Sequence, residues 1–119
     1  MQLPGRDGYL GILPGHAPLI TELGIGQISY RENGRTRCLA VAWGFAEVLP
    51  ERVSVLAETA ERSEEIDVRR AEEARKRAEQ RLRSDDPKID CMRALFALTR
   101  AATRLEVATE TDQTRRQPA

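Results

Sequence analysis

The chain has 119 residues, 40% of them hydrophobic, and its 19 basic residues are balanced by 19 acidic ones. That length suits one ordinary domain, or a small domain with an appendage, and it supports only a modest core. Because the charge is balanced, bulk electrostatics give no case for binding nucleic acid or an anionic membrane. No stretch holds the roughly 18 apolar residues that span a bilayer, so we expect no direct membrane insertion.

The first distinctive segment runs from Leu3 to Leu19 and is rich in proline and glycine. Its three prolines and four glycines predict tight turns, and therefore a rigid, exposed loop suited to docking. The segment also holds the only histidine, His16. No second histidine, nucleophilic serine or cysteine, or suitably spaced acid accompanies it, so we interpret His16 as structural or interfacial rather than catalytic.

The residues up to Glu61 have the composition of a β domain. All eight glycines precede Glu61, and Asn33-Gly34 lies between two alternating stretches, which is a hairpin signal. Hydrophobic patterning between turn signals predicts strands at 27–30, 36–41, 45–49 and 53–57. Several short antiparallel strands separated by turns predict a β-sandwich or barrel.

An internal repeat predicts two helices. The segment from Ile66 to Leu82 recurs from Ile89 to Leu105, and each copy begins with Ile-Asp-x-x-Arg-Ala. The spacing of alanines and arginines in each copy returns to one face only on an α-helix. The connection between the copies, Ser84 to Pro87, is short and predicts an antiparallel hairpin. We expect Ser63 to cap the first helix and Asp86 the second.

The predicted hairpin buries little apolar surface. The inward stripe of its first helix consists of Ala71, Ala74, Ala78 and Leu82. Alanine faces allow close approach but bury little area, at ~25 cal/mol per Å², so we expect a conditionally stable hairpin. The sequence thus divides into a β domain at residues 1–60, the hairpin at 61–107 and a disordered tail at 108–119.

Enzyme and metal motifs are missing from the sequence. It has neither a Gly-x-x-x-x-Gly-Lys phosphate loop nor a metal-spaced pair of acids, so we expect no catalysis, no required cofactor and no metal site. Cys38 and Cys91 are far apart and lack partners at metal-ligand spacing. We interpret both cysteines as reduced packing residues in a reducing compartment.

The sequence resembles the ε subunits of bacterial F-type ATP synthases, whose mitochondrial counterpart is called δ. The resemblance covers residues 3 to 107 and rests on four segments in order. They are Leu13-Pro14-Gly15-His16-Ala17-Pro18-Leu19, Trp43-Gly44-Phe45-Ala46-Glu47-Val48, Val55-Leu56-Ala57-Glu58-Thr59-Ala60-Glu61 and Ile66-Asp67-x-x-Arg70-Ala71. Family members usually carry further residues before the Leu-Pro-Gly run. We therefore expect the first strands of the sandwich to be missing, through a mis-assigned start or a fragment.

The resemblance implies an α+β fold, with an antiparallel β-sandwich followed by an antiparallel α-helical hairpin. It implies a non-catalytic rotor subunit of the central stalk, peripheral on the cytoplasmic face of the bacterial membrane. Its partners would be the γ subunit and the c-ring, together with the α and β subunits when the hairpin extends. The contact loop for γ and the c-ring would comprise Tyr9, Leu13, Pro14, Gly15, His16, Ala17 and Pro18.

The resemblance also implies a regulatory ATP site. In some bacterial members the helix motif and downstream arginines bind ATP and hold the hairpin folded, whereas the released helices extend and inhibit ATP hydrolysis. In an antiparallel pair, Arg70 lies opposite residues 100–104, and guanidinium groups suit phosphate oxygens. Acids can accept hydrogen bonds from the base or ribose. The hypothetical site comprises Glu61, Asp67, Arg70, Arg77, Arg100 and Arg104.

Two alternatives remain open for these residues. The arginines could form solvated faces paired with Glu72, Glu73 and Glu79. In the extended state, three of the helix-two arginines could instead meet an acidic segment of a catalytic β subunit, namely Arg93, Arg100 and Arg104. For the chain as a whole, the alternative is a non-catalytic interaction module with a helical hairpin unrelated to ATP synthase.

Overall fold

The computed structural model describes the backbone of residues 1–116 and the side chains of residues 1–109. Five antiparallel strands form one sheet in the order β2-β1-β3-β4-β5. A single 3-10 turn at Ser63–Glu65 and two helices follow. The strands are β1 (Gln2–Gly5), β2 (Gly8–Gly11), β3 (Leu19–Glu32), β4 (Arg35–Leu49) and β5 (Arg52–Arg62), and the helices are α1 (Val68–Arg83) and α2 (Cys91–Arg116). The predicted α+β architecture of a β domain followed by a helical hairpin is confirmed.

The predicted docking loop is only partly a loop. Its first half forms the β1–β2 hairpin, in which Leu3 pairs with Leu10 and is fully buried. The prediction of one continuous loop from Leu3 to Leu19 is therefore wrong, because only the turn at residues 6–7 and the connection at residues 12–18 lie outside the strands. The dense prolines and glycines concealed the two short strands because such residues are depleted in strands.

The four predicted strands lie within longer ones. The strands expected at 36–41 and 45–49 are a single strand, β4, and the strand expected at 27–30 lies in the second half of β3. The predicted turn at Asn33-Gly34 is present. Both residues have positive φ, 53° and 77°, as a two-residue hairpin turn requires.

The two long strands, β3 and β4, each bend near their middle. After the bend, side chains that alternation would place on the outer face of the sheet point into the core. Leu23 and Ile28 of β3 lie in the same apolar core, although strict alternation over an odd separation would place them on opposite faces. Val41 and Ala46 of β4 share that core in the same way. The strand pairing keeps its register across this point, so the change is a bend of the sheet and not a slip.

The bend in β4 lies at Trp43 and Gly44. Both have positive φ, 58° and 122° respectively. A Cβ atom at Gly44 would collide with the carbonyl oxygen of Leu56 on the neighbouring strand. Glycine is required there because it alone avoids both the strain and the collision.

The hairpin rests on the sheet through α2. Helix α2 contacts β3 and β4, whereas α1 packs against α2. The predicted inward stripe is confirmed, because Ala71 and Ala78 of α1 are buried and the remaining members are half-buried. Their counterparts on α2, Ala94 and Ala101, are also buried. The two helices therefore meet along small side chains.

The repeat places its caps differently from the prediction. Asp67 accepts a hydrogen bond from the Arg70 amide at 3.1 Å, and Asp90 accepts one from the Arg93 amide at 3.1 Å. These two aspartates are the N-caps of α1 and α2. The predicted cap at Ser63 is wrong, because that residue begins the separate 3-10 turn.

Asp86 likewise does not cap α2, as the prediction had it. Its carboxylate accepts a hydrogen bond from the Lys88 amide at 2.9 Å. This bond, between residues two apart, stabilises a turn that precedes the helix. Pro87 lies in that turn and not in the first turn of α2. The backbone of α2 continues to Arg116, so the tail predicted to be disordered from residue 108 is helical up to that point. Residues 117–119 of the predicted tail lie outside the described residues.

Candidate functional site

A groove between α2 and the sheet brings together three of the predicted site residues. Arg104 donates from Nε to Oε1 of Glu61 at 2.5 Å, and each of these side chains is 31% exposed. Arg100 lines the same groove. The small residues Ala40 and Ala42 also line it, and Ala40 pairs directly with Glu61 across the sheet. The groove therefore combines two guanidinium groups and one carboxylate with small apolar side chains.

Thr103 also lines this groove and is the buried polar residue that the sequence did not point to, with 8% of its surface exposed. Because Thr103 lies between Arg100 and Arg104 in the sequence, it would be close to ATP bound by these arginines. The helical spacing of the arginines did not predict that a polar residue between them would be buried in the groove.

The groove is narrow in this conformation. Its cavity volume is about 10 Å³, which is room for about one water molecule. A nucleotide phosphate does not fit inside it while Glu61 and Arg104 remain paired. An anion would have to bind at its open side or displace the carboxylate.

The other predicted members of the ATP site lie elsewhere on the hairpin. The Asp67 carboxylate caps α1, and Arg70 and Arg77 lie on the exposed surface of that helix. Neither arginine lines the groove. The structure thus brings Glu61, Arg100 and Arg104 together and leaves the rest of the proposed set outside this groove.

The solvated-pair alternative finds different partners from those expected. Glu73 lies 3.5 Å from Arg69 and Glu79 lies 3.9 Å from Arg75, each one helical turn apart. These acids thus serve neighbouring arginines outside the predicted set. The exposed pair of Arg69 and Glu73 contributes at most about 1 kcal/mol.

The predicted contact loop is held in place by hydrogen bonds of its own backbone and of His16. The Gly15 amide donates to the Pro50 carbonyl at 3.2 Å, which ties the loop to the β4–β5 turn. Nδ1 of His16 lies 2.6 Å from the Ala17 carbonyl oxygen, so the ring donates to it in the tautomer with a proton on that atom. Leu13 is 76% exposed at the loop's tip. The loop therefore presents an apolar side chain on a constrained backbone.

Tyr9, which the resemblance assigns to the same contact, has a structural partner. Its hydroxyl oxygen accepts a hydrogen bond from the Gln27 amide at 3.1 Å. A side chain at Gly26 would collide with this hydroxyl and with Pro4. Tyr9 is nevertheless 56% exposed, so much of its ring remains accessible.

An exposed apolar patch on the sheet was not singled out by the sequence. Its members are Ile20, Phe45 and Leu56, which are 70%, 56% and 76% exposed. Phe45 pairs directly with Leu56, so the two side chains are cross-strand neighbours. A signal was present, because Phe45 precedes the core residue Ala46 and must therefore point away from the core.

Among the residues that the structure describes, no group of three or more histidine, cysteine or acidic side chains is placed to hold a metal ion. None of the described helices is long and apolar enough to cross a membrane.

Comparison with known proteins gives matches over nearly the whole described chain. Residues 1–63 match the beta-sandwich domain of the ATP synthase Delta/Epsilon chain, and residues 64–109 match its long alpha-helix domain. The ATP synthase epsilon chain of Koribacter versatilis is 71% identical over 87 residues, which are 73% of this chain and 61% of the relative. The epsilon chain of Moorella thermoacetica is 54% identical over 106 residues, which are 88% of this chain and 79% of that relative.

A solved structure shares the fold. A chain in the mitochondrial ATP synthase of Euglena gracilis, in an assembly of OSCP, F1 and c-ring, superposes with a TM-score of 0.73. The match covers 94% of this chain and 68% of that one, at 23% sequence identity. The chain spans about three-fifths of the Koribacter relative's length and about four-fifths of the Moorella relative's.

Proposed function

Because the chain belongs to the Delta/Epsilon chain family of ATP synthases, we propose that it is a central-stalk subunit of a proton-translocating F-type ATP synthase. In this role it performs no chemistry itself and couples the γ subunit to the c-ring, at the cytoplasmic face of the bacterial membrane. The alternative of an interaction module unrelated to ATP synthase is wrong, since both domains match this family.

The observation that carries the rotor proposal is an exposed apolar patch on the surface of the β domain, whose own core is already filled by other side chains. Ile20, Phe45 and Leu56 are more than half exposed, although they lie on well-paired strands. Adjacent exposed apolar side chains of this kind mark interaction sites. We assign this patch to the γ subunit.

The c-ring contact is assigned to the neighbouring loop, residues 13–18. Leu13 projects from a backbone that the Gly15 to Pro50 hydrogen bond fixes. A fixed loop loses less conformational entropy on binding than a free one. That property suits a contact that must transmit torque during rotation.

The γ assignment is tested by placing a charge in the patch. Phe45→Asp should abolish co-purification of the chain with γ, because an aspartate in the interface would be desolvated without a partner. Thr36→Asp, at the exposed far end of the same strand, is the control and should co-purify normally. If Phe45→Asp folds and still co-purifies with γ, the patch is not the interface.

The regulatory part of the proposal concerns the hairpin. In its folded state Arg100 and Arg104 face the groove beside Glu61, and guanidinium groups bind phosphate oxygens well. We assign to them the binding of ATP as a regulatory ligand, with Arg70, Arg77 and Asp67 as the outer members of the site. In the extended state Arg93, Arg100 and Arg104 meet the catalytic β subunit.

Two measurements test this regulation. Titration of ATP against the full chain should saturate, and the double variant Arg100→Ala/Arg104→Ala should bind at least about tenfold more weakly. Absence of saturable binding at millimolar ATP would contradict the nucleotide site.

The inhibitory role is tested by deleting residues 84–119. The deletion should raise the ATPase activity of the assembled complex, and unchanged activity would contradict the inhibitory role.

A further inference from the structure

The apolar patch on the sheet borders the first half of helix α2. The rings of Trp43 and Phe96 meet edge to face with centroids 5.2 Å apart. Trp43 precedes the patch residue Phe45 by two positions on β4. Both side chains lie outside the core of the sheet, since Trp43 contacts the helix and Phe45 is 56% exposed. Trp43 therefore links the patch on the sheet to Phe96 on the helix.

Helix α2 extends this apolar surface beyond Phe96. Met92, Phe96 and Arg100 follow one another at intervals of four residues, which places them on one face of the helix. That face is turned to the sheet, because Phe96 contacts Trp43 and Arg100 lines the groove. Met92 is nevertheless 57% exposed, and Leu95, which precedes Phe96, is 44% exposed. The helix thus presents two large apolar side chains to solvent beside the sheet.

Acidic side chains border the apolar residues on the sheet. Glu47 follows Phe45 by two positions, and Glu58 follows Leu56 by two positions. Residues two apart on a strand share a face, and both glutamates are exposed. A partner that covers Phe45 and Leu56 would therefore gain from basic side chains next to its own apolar ones.

We propose that the γ contact extends from the patch on the sheet onto the first half of α2. The occupant is a helical segment of γ whose apolar face is bordered by basic side chains, because an amphipathic helix can lie in the angle between two elements. The inference rests on the proposed γ patch and adds the helix to it. We call the whole area the junction surface, and it comprises Trp43, Phe45, Leu56, Met92, Leu95 and Phe96.

The junction surface is complete while the hairpin is folded, because Phe96 then lies against Trp43. A partner that contacts both the sheet and α2 binds this state more tightly than a state in which α2 has left the sheet. Binding of γ to the junction surface therefore favours the folded hairpin, and a folded hairpin favours binding of γ by the same factor.

The test is the affinity of the full chain for purified γ after a charge is placed on α2. Met92→Asp should bind γ at least about tenfold more weakly than the unmodified chain, because the interface would desolvate an unpaired carboxylate. Val68→Asp is the matched control, since Val68 is an apolar residue at the start of α1 and is 47% exposed. It should bind γ normally. Circular dichroism should show that both variants keep their helices.

Hydrogen exchange in the unmodified chain gives an independent readout. Binding of γ should slow exchange of the amides at residues 91–99 together with those at residues 43–47, because the partner covers both and holds the hairpin folded. Slowing on the sheet without slowing on α2 would overturn the junction surface. This measurement decides the matter if Met92→Asp does not fold.

The outcomes separate this inference from the γ patch on which it rests. Normal binding by Met92→Asp, with loss of binding by Phe45→Asp, would overturn the extension onto α2 and leave the patch as the γ contact. Normal binding by both variants would overturn the extension together with the γ assignment. Equal weakening by Met92→Asp and Val68→Asp would also overturn the extension, because the added charge would then act irrespective of its place on the hairpin.

Discussion

The sheet and the hairpin are stabilised by different kinds of contact. The core of the sheet contains large, fully buried side chains such as Leu3, Leu23 and Ile28, each contributing about 1.5–3 kcal/mol. The interface between the helices buries alanines, including Ala78 and Ala101, and a single methyl group contributes only about 0.8 kcal/mol. We therefore expect the sheet, which we call the platform, to be the more stable region and the hairpin to be the region that moves.

The connections of the two regions show the same contrast. Strands β3 and β4 pair along almost their full lengths, from Leu19 with Val48 to Glu32 with Arg35. Helix α1, by contrast, packs against α2, and the whole hairpin reaches the sheet through α2 and the 3-10 turn. Opening the hairpin therefore need not break the ladder of strand hydrogen bonds.

The largest expected effect breaks the platform. Gly44→Ala should lower the free energy of unfolding by more than about 3 kcal/mol, because a methyl group there meets the Leu56 carbonyl and φ is 122°. Chemical denaturation measures the change. Gly11→Ala, where nothing lies within 4 Å of the added carbon, should change stability by less than about 0.5 kcal/mol. A mild effect at Gly44 would mean that the bend is not fixed by this glycine.

A second substitution is aimed at the hairpin alone. Ala101→Leu overfills a fully buried position between α2 and its neighbours and should weaken hairpin docking by about 1–3 kcal/mol. Limited proteolysis should cut the helices sooner while the sheet stays resistant. Glu106→Leu, at an exposed position of the same helix, should be cut at the normal rate. Equal loss of the sheet would show that the two regions unfold as one unit.

The helix caps provide a smaller and paired test. Asp67→Ala and Asp90→Ala should each cost about 1 kcal/mol of helix stability, because each removes a side-chain acceptor from a terminal amide. Asp86→Ala should cost less, since Asp86 stabilises only the preceding turn. Circular dichroism during thermal unfolding would measure the order of the three variants. A larger loss at Asp86 would restore it as the cap.

The smallest effect concerns the junction between the two regions. A backbone hydrogen bond at Glu64 and the Ser63 hydroxyl, at 3.0 Å, hold the pKa of the Glu64 carboxyl below its usual 4.5, with help from Arg37 and Arg62. Because the folded pKa is lowered, this contribution to stability is present above the unfolded pKa and is lost as pH falls through the folded pKa. Ser63→Ala should raise the pKa of Glu64 in an NMR titration. An unchanged midpoint would show that the hydroxyl is not a cause.

The local sequence signals predicted the elements that repeat at a fixed period. The alanine stripe from Ala71 to Leu82 returns every helical turn, so it identified both the helix and its buried face. The Asn33-Gly34 turn was also evident, because positive φ favours this pair. Neither inference needed any knowledge of distant contacts.

The sequence was less informative where several residues were chemically equivalent or where the partner was distant. Ser63 and Asp86 suit a cap as well as Asp67 and Asp90 do, and only the folded backbone distinguishes them. The groove could not be predicted because it forms only when Glu61 on β5 meets Arg104 on α2, and the sequence does not show that contact. Helical spacing placed the arginines on common faces, but it could not show that Arg70 and Arg77 lie outside the groove.

The most direct test of the two-region account is hydrogen exchange of the backbone amides in the unmodified full chain. The amides of α1, at Val68–Arg83, should exchange through an opening of lower free energy than those of β3 and β4, and ATP should slow exchange in the helices while leaving the sheet unchanged. Equal opening free energies for α1 and the central strands would contradict the account, because they would mean that the hairpin cannot move without unfolding the platform.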